Sequence, residues 1–277
     1  MNSKKIIITN PIVTVDWLQE KLNATNLVIL NGTIPRVVDA DKPKETQQIP
    51  NARFFDIKNV FSQPNAPFPN TMINLPEFIL KSQDLGINED SAIVVYDELG
   101  IYSSARVWYM FTSIGFDNIA VLDGGFPAWK AKKYNCEEKV LFQGKQGDFQ
   151  AQYRTNLFRN YTQMLQEIQN KSSLILDARS SDRFTGKVPE PRKGLRSGQI
   201  PTSKNLPYAA LLHNKQLKSK SEIKAIFEAL QTDETELVFS CGSGITACIL
   251  ALAADYVGYK NYSVYDGSWT EWGSLYN

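Results

Sequence analysis

Ile93-Val-Val-Tyr-Asp97, a helical run, Gly115-Phe116, Ala120-Val-Leu-Asp-Gly-Gly125 and Trp129 return later in the chain as Leu237-Val-Phe-Ser240, a helical run, Gly258-Tyr259, Ser263-Val-Tyr-Asp-Gly-Ser268 and Trp272. Asp97 and Ser240, Gly115 and Gly258, Asp123 and Asp266, and Trp129 and Trp272 all lie 143 residues apart. A spacing held over four landmarks marks the duplication of one domain. Upstream, Leu27-Val-Ile-Leu-Asn31 mirrors Leu174-Ile-Leu-Asp177, and Ile49-Pro50 mirrors Ile200-Pro201. Each copy alternates short apolar β runs with helical runs. That alternation predicts an α/β fold of two like domains, each an open, mostly parallel sheet with helices on both faces. Leu157, Tyr161, Met164, Leu165 and Ile168 fall on one helical stripe, which predicts a helix docked on the second sheet. The stretch Glu137 to Arg154, rich in Lys, Gln and Gly, has no clear period, so the copies are expected at 1–140 and 156–277 with a linker at 141–155.

Composition narrows the function. The 277 residues are 43% apolar and 21% charged, and 30 Lys+Arg nearly cancel 29 Asp+Glu. A net charge of +1 gives no broad field for phosphate backbones or anionic lipid, which disfavours nucleic-acid and membrane-surface roles. No apolar run approaches the ~20 residues that cross a bilayer, and the first residues lack the apolar core of a signal peptide; a cytoplasmic protein is expected. Three cysteines, Cys136, Cys241 and Cys248, are too few for a disulfide framework, and none stands in metal-ligand spacing with the single His213. No metal and no other cofactor is implied. Cys248 on an Ala-rich helix reads as a packed small hydrophobe and Cys136 as an inert thiol.

Cys241 differs from both. Leu237-Val-Phe-Ser240 runs straight into Cys241-Gly-Ser-Gly-Ile-Thr246 and then into Ala247-Cys-Ile-Leu-Ala-Leu-Ala-Ala254. The cysteine therefore sits at the carboxyl end of a parallel strand and before a helix. Gly242 and Gly244 let the backbone curl so that several N–H groups face one centre, an anion cradle reinforced by the helix dipole. Such a cradle suits an anionic sulfur that persists between two half-reactions and later leaves. The same 143-residue spacing puts Glu98 opposite Cys241, so the first copy has no thiol there. A second cluster, Asp177-Ala-Arg-Ser-Ser-Asp-Arg183 with Val188-Pro-Glu-Pro-Arg192, follows an earlier strand. Two arginines on a Gly/Pro-restrained loop can clamp a small carboxylate, while Arg179 and Asp177 read as an internal ion pair.

The Cys241 loop, the Arg183 to Arg192 loop, Tyr265-Asp-Gly-Ser-Trp269, Tyr102-Ser-Ser-Ala-Arg-Val-Trp108 and Asp123-Gly-Gly125 together resemble tandem-domain sulfurtransferases of the rhodanese superfamily, the mercaptopyruvate-using branch above all. The resemblance spans nearly the whole chain. It implies that Cys241 takes sulfur from 3-mercaptopyruvate, or less well from thiosulfate, as a persulfide, releases pyruvate and passes the sulfur to a thiol such as thioredoxin or to cyanide. Cys241 and Ser243 would be catalytic. Arg183, Arg192, Gly242, Gly244, Ile245 and Thr246 would bind the donor. Gly242 and Ser243 stand where thiosulfate-preferring members carry basic residues, which points to mercaptopyruvate.

Three other readings compete. Gly242-x-Gly244-x-x-Ala247 with Asp266 mimics a dinucleotide fingerprint, but the first copy repeats Asp123-Gly124 without a glycine loop upstream. A cysteine phosphatase needs an arginine six residues after the nucleophile, where Ala247 stands. A catalytically weak sulfur-relay or binding module on the same fold is the remaining alternative, since a fold alone does not fix activity.

Overall fold

The structure, a computed structural model, describes residues 5–35, 45–154, 156–230 and 236–276. Residue 155 of the expected linker, and residues 1 and 277 of the expected domains, lie outside the described residues. The chain forms two compact units. Unit 1 comprises Met1–Gln63, Met72–Arg154 and Asn214–Gln216; unit 2 comprises Pro64–Thr71, Thr155–His213 and Leu217–Asn277.

Unit 1 carries β1 (Ile12–Val13), α1 (Val15–Lys21), β2 (Leu27–Asn31), β3 (Gln47–Gln48), β4 (Arg53–Phe54), α2 (Leu75–Asp84), β5 (Ala92–Tyr96), α3 (Ser104–Ser113), β6 (Ile119–Leu122), α4 (Gly125–Ala131) and β7 (Glu137–Glu138). Its main sheet runs β1-β6-β5-β2-β4, parallel throughout, and β3 pairs antiparallel with β7. The second half of the chain continues with β8 (Phe158–Arg159), α5 (Tyr161–Asn170), β9 (Ser173–Asp177), α6 (Ser181–Phe184), β10 (Lys204–Asn205), β11 (Leu212–His213), β12 (Gln216–Leu217), α7 (Lys220–Leu230), β13 (Glu236–Ser240), α8 (Ala247–Tyr256), β14 (Tyr262–Tyr265) and α9 (Ser268–Leu275). The main sheet of unit 2 runs β8-β14-β13-β9-β10, again all parallel. The two sheets thus share one strand order, as a duplicated domain must.

The central strands β5 and β13 are buried over nearly their whole length, which a parallel sheet covered on both faces requires. α3 and α8 are ten residues each and start 143 residues apart, at Ser104 and Ala247. Trp129 and Trp272 are both fully buried in the cores of their units. The helical stripe expected from Leu157 begins later. Phe158–Arg159 instead forms β8 against β14, and Asn160 ends the strand by capping α5: its Oδ1 accepts from Gln163 N (3.0 Å) while Gln163 Oε1 accepts from Asn160 N (2.9 Å). This reciprocal cap fixes the helix start at Tyr161. Met164, Leu165 and Ile168 then pack with Ile175, Val238, Trp269 and Trp272. Among the described residues no helix is long and apolar enough to cross a membrane.

Candidate functional site

Three neighbouring strands of unit 2 end side by side, and each delivers one loop. β9 and β13 finish in register at Asp177 and Ser240, and β14 lies on the other side of β13. Parallel strands place such ends on one rim of the sheet, where α/β folds bind ligands.

Cys241 leaves the end of β13 and is 1% exposed. Gly244 takes the left-handed conformation, φ +75°, which turns the loop back before α8. A hydroxyl from the first residue of α9 holds the turn: Ser268 Oγ accepts from Cys241 N (3.1 Å) and Gly244 N (3.2 Å) and lies 3.8 Å from Cys241 Sγ. Its own hydrogen goes to Tyr265 O at 2.8 Å. Ser268 adopts φ +49°, a conformation a non-glycine residue keeps only when its surroundings enforce it. The loop carbonyls are also fixed, since Trp269 N donates to Cys241 O and Thr270 N to Gly242 O, both at 2.9 Å.

Ser243 is held from two sides. Asn70 Nδ2 donates to its Oγ (3.0 Å) and its carbonyl (3.1 Å), and Arg192 Nη2 donates to the same Oγ at 3.2 Å. A serine hydroxyl accepts two hydrogen bonds and donates one. With both acceptor sites filled, the Ser243 hydrogen is the part left to donate. Arg192 Nη1 also donates to Thr270 Oγ1 at 3.4 Å. Arg183 lies against the other side of the loop: a Cβ on Gly242 would come within 2.9 Å of its Nη2, so glycine there makes room for the guanidinium. Ile245 is buried and apolar, and Thr246 precedes α8 without a side-chain cap. The residues expected from the sequence thus meet on one rim of unit 2.

Behind them lies a buried ionic chain. Asp177 pairs with Arg179 (2.7 Å), Arg179 with Glu190 (2.8 Å), and Glu190 with Arg183 (2.5 Å). Burial pushes the Asp177 carboxyl upward, against the hydrogen bonds and charge of Arg179. The Arg179 guanidinium stacks 4.6 Å from the Trp269 ring centre, tying this ionic chain to α9.

Asn70, Glu190, Ser268 and Thr270 hold the site as well, beyond the residues expected from the sequence. A signal existed for two: Glu190 sits between Pro189 and Pro191, and Ser268 recurs in the Asp-Gly repeat. Asn70 lies in the other half of the sequence, 173 residues from Ser243, with no local mark.

Unit 1 corrects one expectation. Strand ends, rather than the constant spacing, decide which residue faces which: β2 and β5 end in register at Asn31 and Tyr96, as β9 and β13 do at Asp177 and Ser240. The counterpart of Cys241 is therefore Asp97, because the first-copy loop before its helix is one residue longer. Asp97 Oδ2 accepts from the amides of Tyr102, Ser103 and Ser104 and from Ser104 Oγ, and Oδ1 from Leu99 N, at 2.6–3.0 Å. In unit 1 this strand-loop-helix turn closes on the chain's own Asp97 carboxyl, which burial pushes upward against the hydrogen bonds from Ser104, Tyr102 and Leu99. Glu98 instead pairs with Lys139 and accepts from Asn31 Nδ2.

The other thiols are occupied differently. Cys248 is fully buried with Sγ donating to Gly244 O at 3.2 Å, and Cys136 is half-buried with Sγ 3.6 Å from Tyr134 O. Among the described residues no group of three or more His, Cys, Asp or Glu gathers as a metal site.

Comparison with known proteins gives this geometry a lineage. Residues 14–132 and 160–275 each match the rhodanese-like domain. The chain is 35% identical to thiosulfate/3-mercaptopyruvate sulfurtransferase 2 of Arabidopsis thaliana, covering all of this chain and 88% of that protein. It is 32% identical to the 3-mercaptopyruvate sulfurtransferase of Escherichia coli K12 over 95% of this chain and 94% of that one. The crystal structure of SseA from Escherichia coli superposes with a TM-score of 0.84 at 30% identity, over 94% of this chain and 99% of SseA. With a family match in both halves and a cysteine loop at the end of the second central strand, the chain belongs to the rhodanese-like family.

Proposed function

We propose that the protein is a sulfurtransferase that moves sulfur from 3-mercaptopyruvate, and less well from thiosulfate, through a persulfide on Cys241 to a thiol such as thioredoxin or to cyanide. The observation that carries this is the placement of Cys241 at the end of β13, in a turn pinned by Ser268 whose counterpart in unit 1 closes on the Asp97 carboxyl. In the first half-reaction the Cys241 thiolate attacks the donor's thiol sulfur. The S–S bond forms as the C–S bond breaks, the carbon fragment leaves as the enolate of pyruvate, and the proton of the donor thiol ends on its methyl carbon. Arg192 and Arg183 take the carboxylate and keto oxygen. Ser243, its acceptor sites filled by Asn70 and Arg192, donates its hydrogen to the oxygen on which charge develops. In the second half-reaction the acceptor attacks the outer sulfur, and Cys241 leaves as the thiolate. A cytoplasmic, reducing setting fits three free thiols.

The test is pyruvate release from 3-mercaptopyruvate with cyanide or a dithiol as acceptor. Cys241→Ser is expected to abolish release while the circular dichroism and melting curve stay those of the parent. Release that survives the substitution would refute the reading.

A further inference from the structure

The ionic chain behind the cysteine loop carries two guanidiniums and two carboxylates, so its formal charges cancel. Glu190 is its pivot. The carboxylate is 1% exposed and bridges two arginines: Oε1 accepts from Arg179 Nη1 (2.8 Å) and Arg183 Nε (3.3 Å), and Oε2 from Arg183 Nη2 (2.5 Å). Arg179 already has Asp177 on its other side, whereas Arg183 is a quarter exposed and reaches the Gly242 backbone. Pro189 and Pro191 fix the backbone on either side of Glu190, and each restricts the residue before it to extended conformations. A rigid, buried carboxylate is therefore aimed at Arg183, which borders the loop at Gly242 as Arg192 borders it at Ser243. It orients the Arg183 fork and also cancels most of the charge that Arg183 brings to the donor.

We infer that Glu190 is a specificity-determining residue: it holds Arg183 as an oriented hydrogen-bond donor with little net charge, so the site favours donors carrying one carboxylate over sulfur-oxyanion dianions. This rests on the sulfur-transfer reading and deepens it. A carboxylate donor needs a planar fork in the right place, which Glu190 supplies. A dianion needs net positive charge, which Glu190 removes.

The experiment measures kcat/KM for 3-mercaptopyruvate and for thiosulfate, with cyanide as acceptor, in the parent, Glu190→Gln and Glu190→Asp. Glutamine keeps the shape and removes the charge, and is expected to raise the thiosulfate-to-mercaptopyruvate ratio about tenfold, since each added unit of site charge acts twice on a dianion. Aspartate keeps the charge and shortens the reach; it is expected to raise both KM values and leave the ratio within about twofold of the parent. An unchanged ratio in folded Glu190→Gln, or an equal rise in Glu190→Asp, would overturn the inference. Should Glu190→Gln fail to give the parent's circular dichroism, the Glu190→Asp ratio decides alone, and a shift beyond about twofold overturns it. Failure of the sulfur-transfer reading looks different, as absence of turnover by the parent enzyme with both donors.

Discussion

Ser268, at the start of α9, joins the Cys241 loop to the end of β14 through one oxygen that uses all of its hydrogen-bonding capacity: two bonds accepted from Cys241 N and Gly244 N, one donated to Tyr265 O. Ser268→Ala would leave two buried amides and a carbonyl without this partner. An unsatisfied buried group costs about 1–3 kcal/mol, so the variant is expected to lose about 2 kcal/mol or more of unfolding free energy. Mercaptopyruvate turnover should fall further than the unfolded fraction explains, because the same bonds shape the loop. Urea unfolding followed beside the rate assay checks both; unchanged stability and rate would contradict the role. At this scale the sequence was half legible. Gly244 after an apolar strand marks a tight turn because nearby backbone decides its geometry, while the amides of Cys241 and Gly244, expected to face the sulfur, donate to Ser268 Oγ. Ser268 and Asn70 reach the loop from 27 and 173 residues away, and only the fold sets that proximity.

Helices and strands followed the repeat closely because burial enforces period and length together. β6 and β14, Ile119–Leu122 and Tyr262–Tyr265, keep the 143-residue spacing, as do α3 and α8. Two departures have local causes. The stripe through Leu157 counts apolar positions correctly but misses the Asn160 cap, which turns the first of them into the approach to a strand. The Glu98 alignment fails by one residue because the spacing changes between strand and helix, where a loop absorbs the extra residue without cost to either sheet. The cap is directly testable. Asn160→Ala should lower stability by about 1 kcal/mol, as loss of a capping side chain does, while kcat/KM per folded molecule stays at the parent value. A thermal melt unchanged from the parent would show that the cap contributes nothing to α5.

At the scale of the whole molecule, two sheets of one strand order carry opposite fillings of the same turn. In unit 1 the cradle amides close on the chain's own Asp97, while the corresponding loop of unit 2 begins with a cysteine. One unit thus has a turn filled by its own side chain, and the other a turn that begins with a thiol and is pinned by Ser268. If that is how the molecule works, only one of its three thiols stores sulfur. The direct measurement is peptide mass mapping after brief incubation with 3-mercaptopyruvate and no acceptor. The account predicts a gain of one sulfur atom, about 32 Da, on the peptide containing Cys241, lost again when cyanide is added, with the Cys136 peptide unchanged and Cys241→Ser showing no gain. A Cys241 peptide that keeps its mass while pyruvate is released, or sulfur lodged on another thiol, would contradict it.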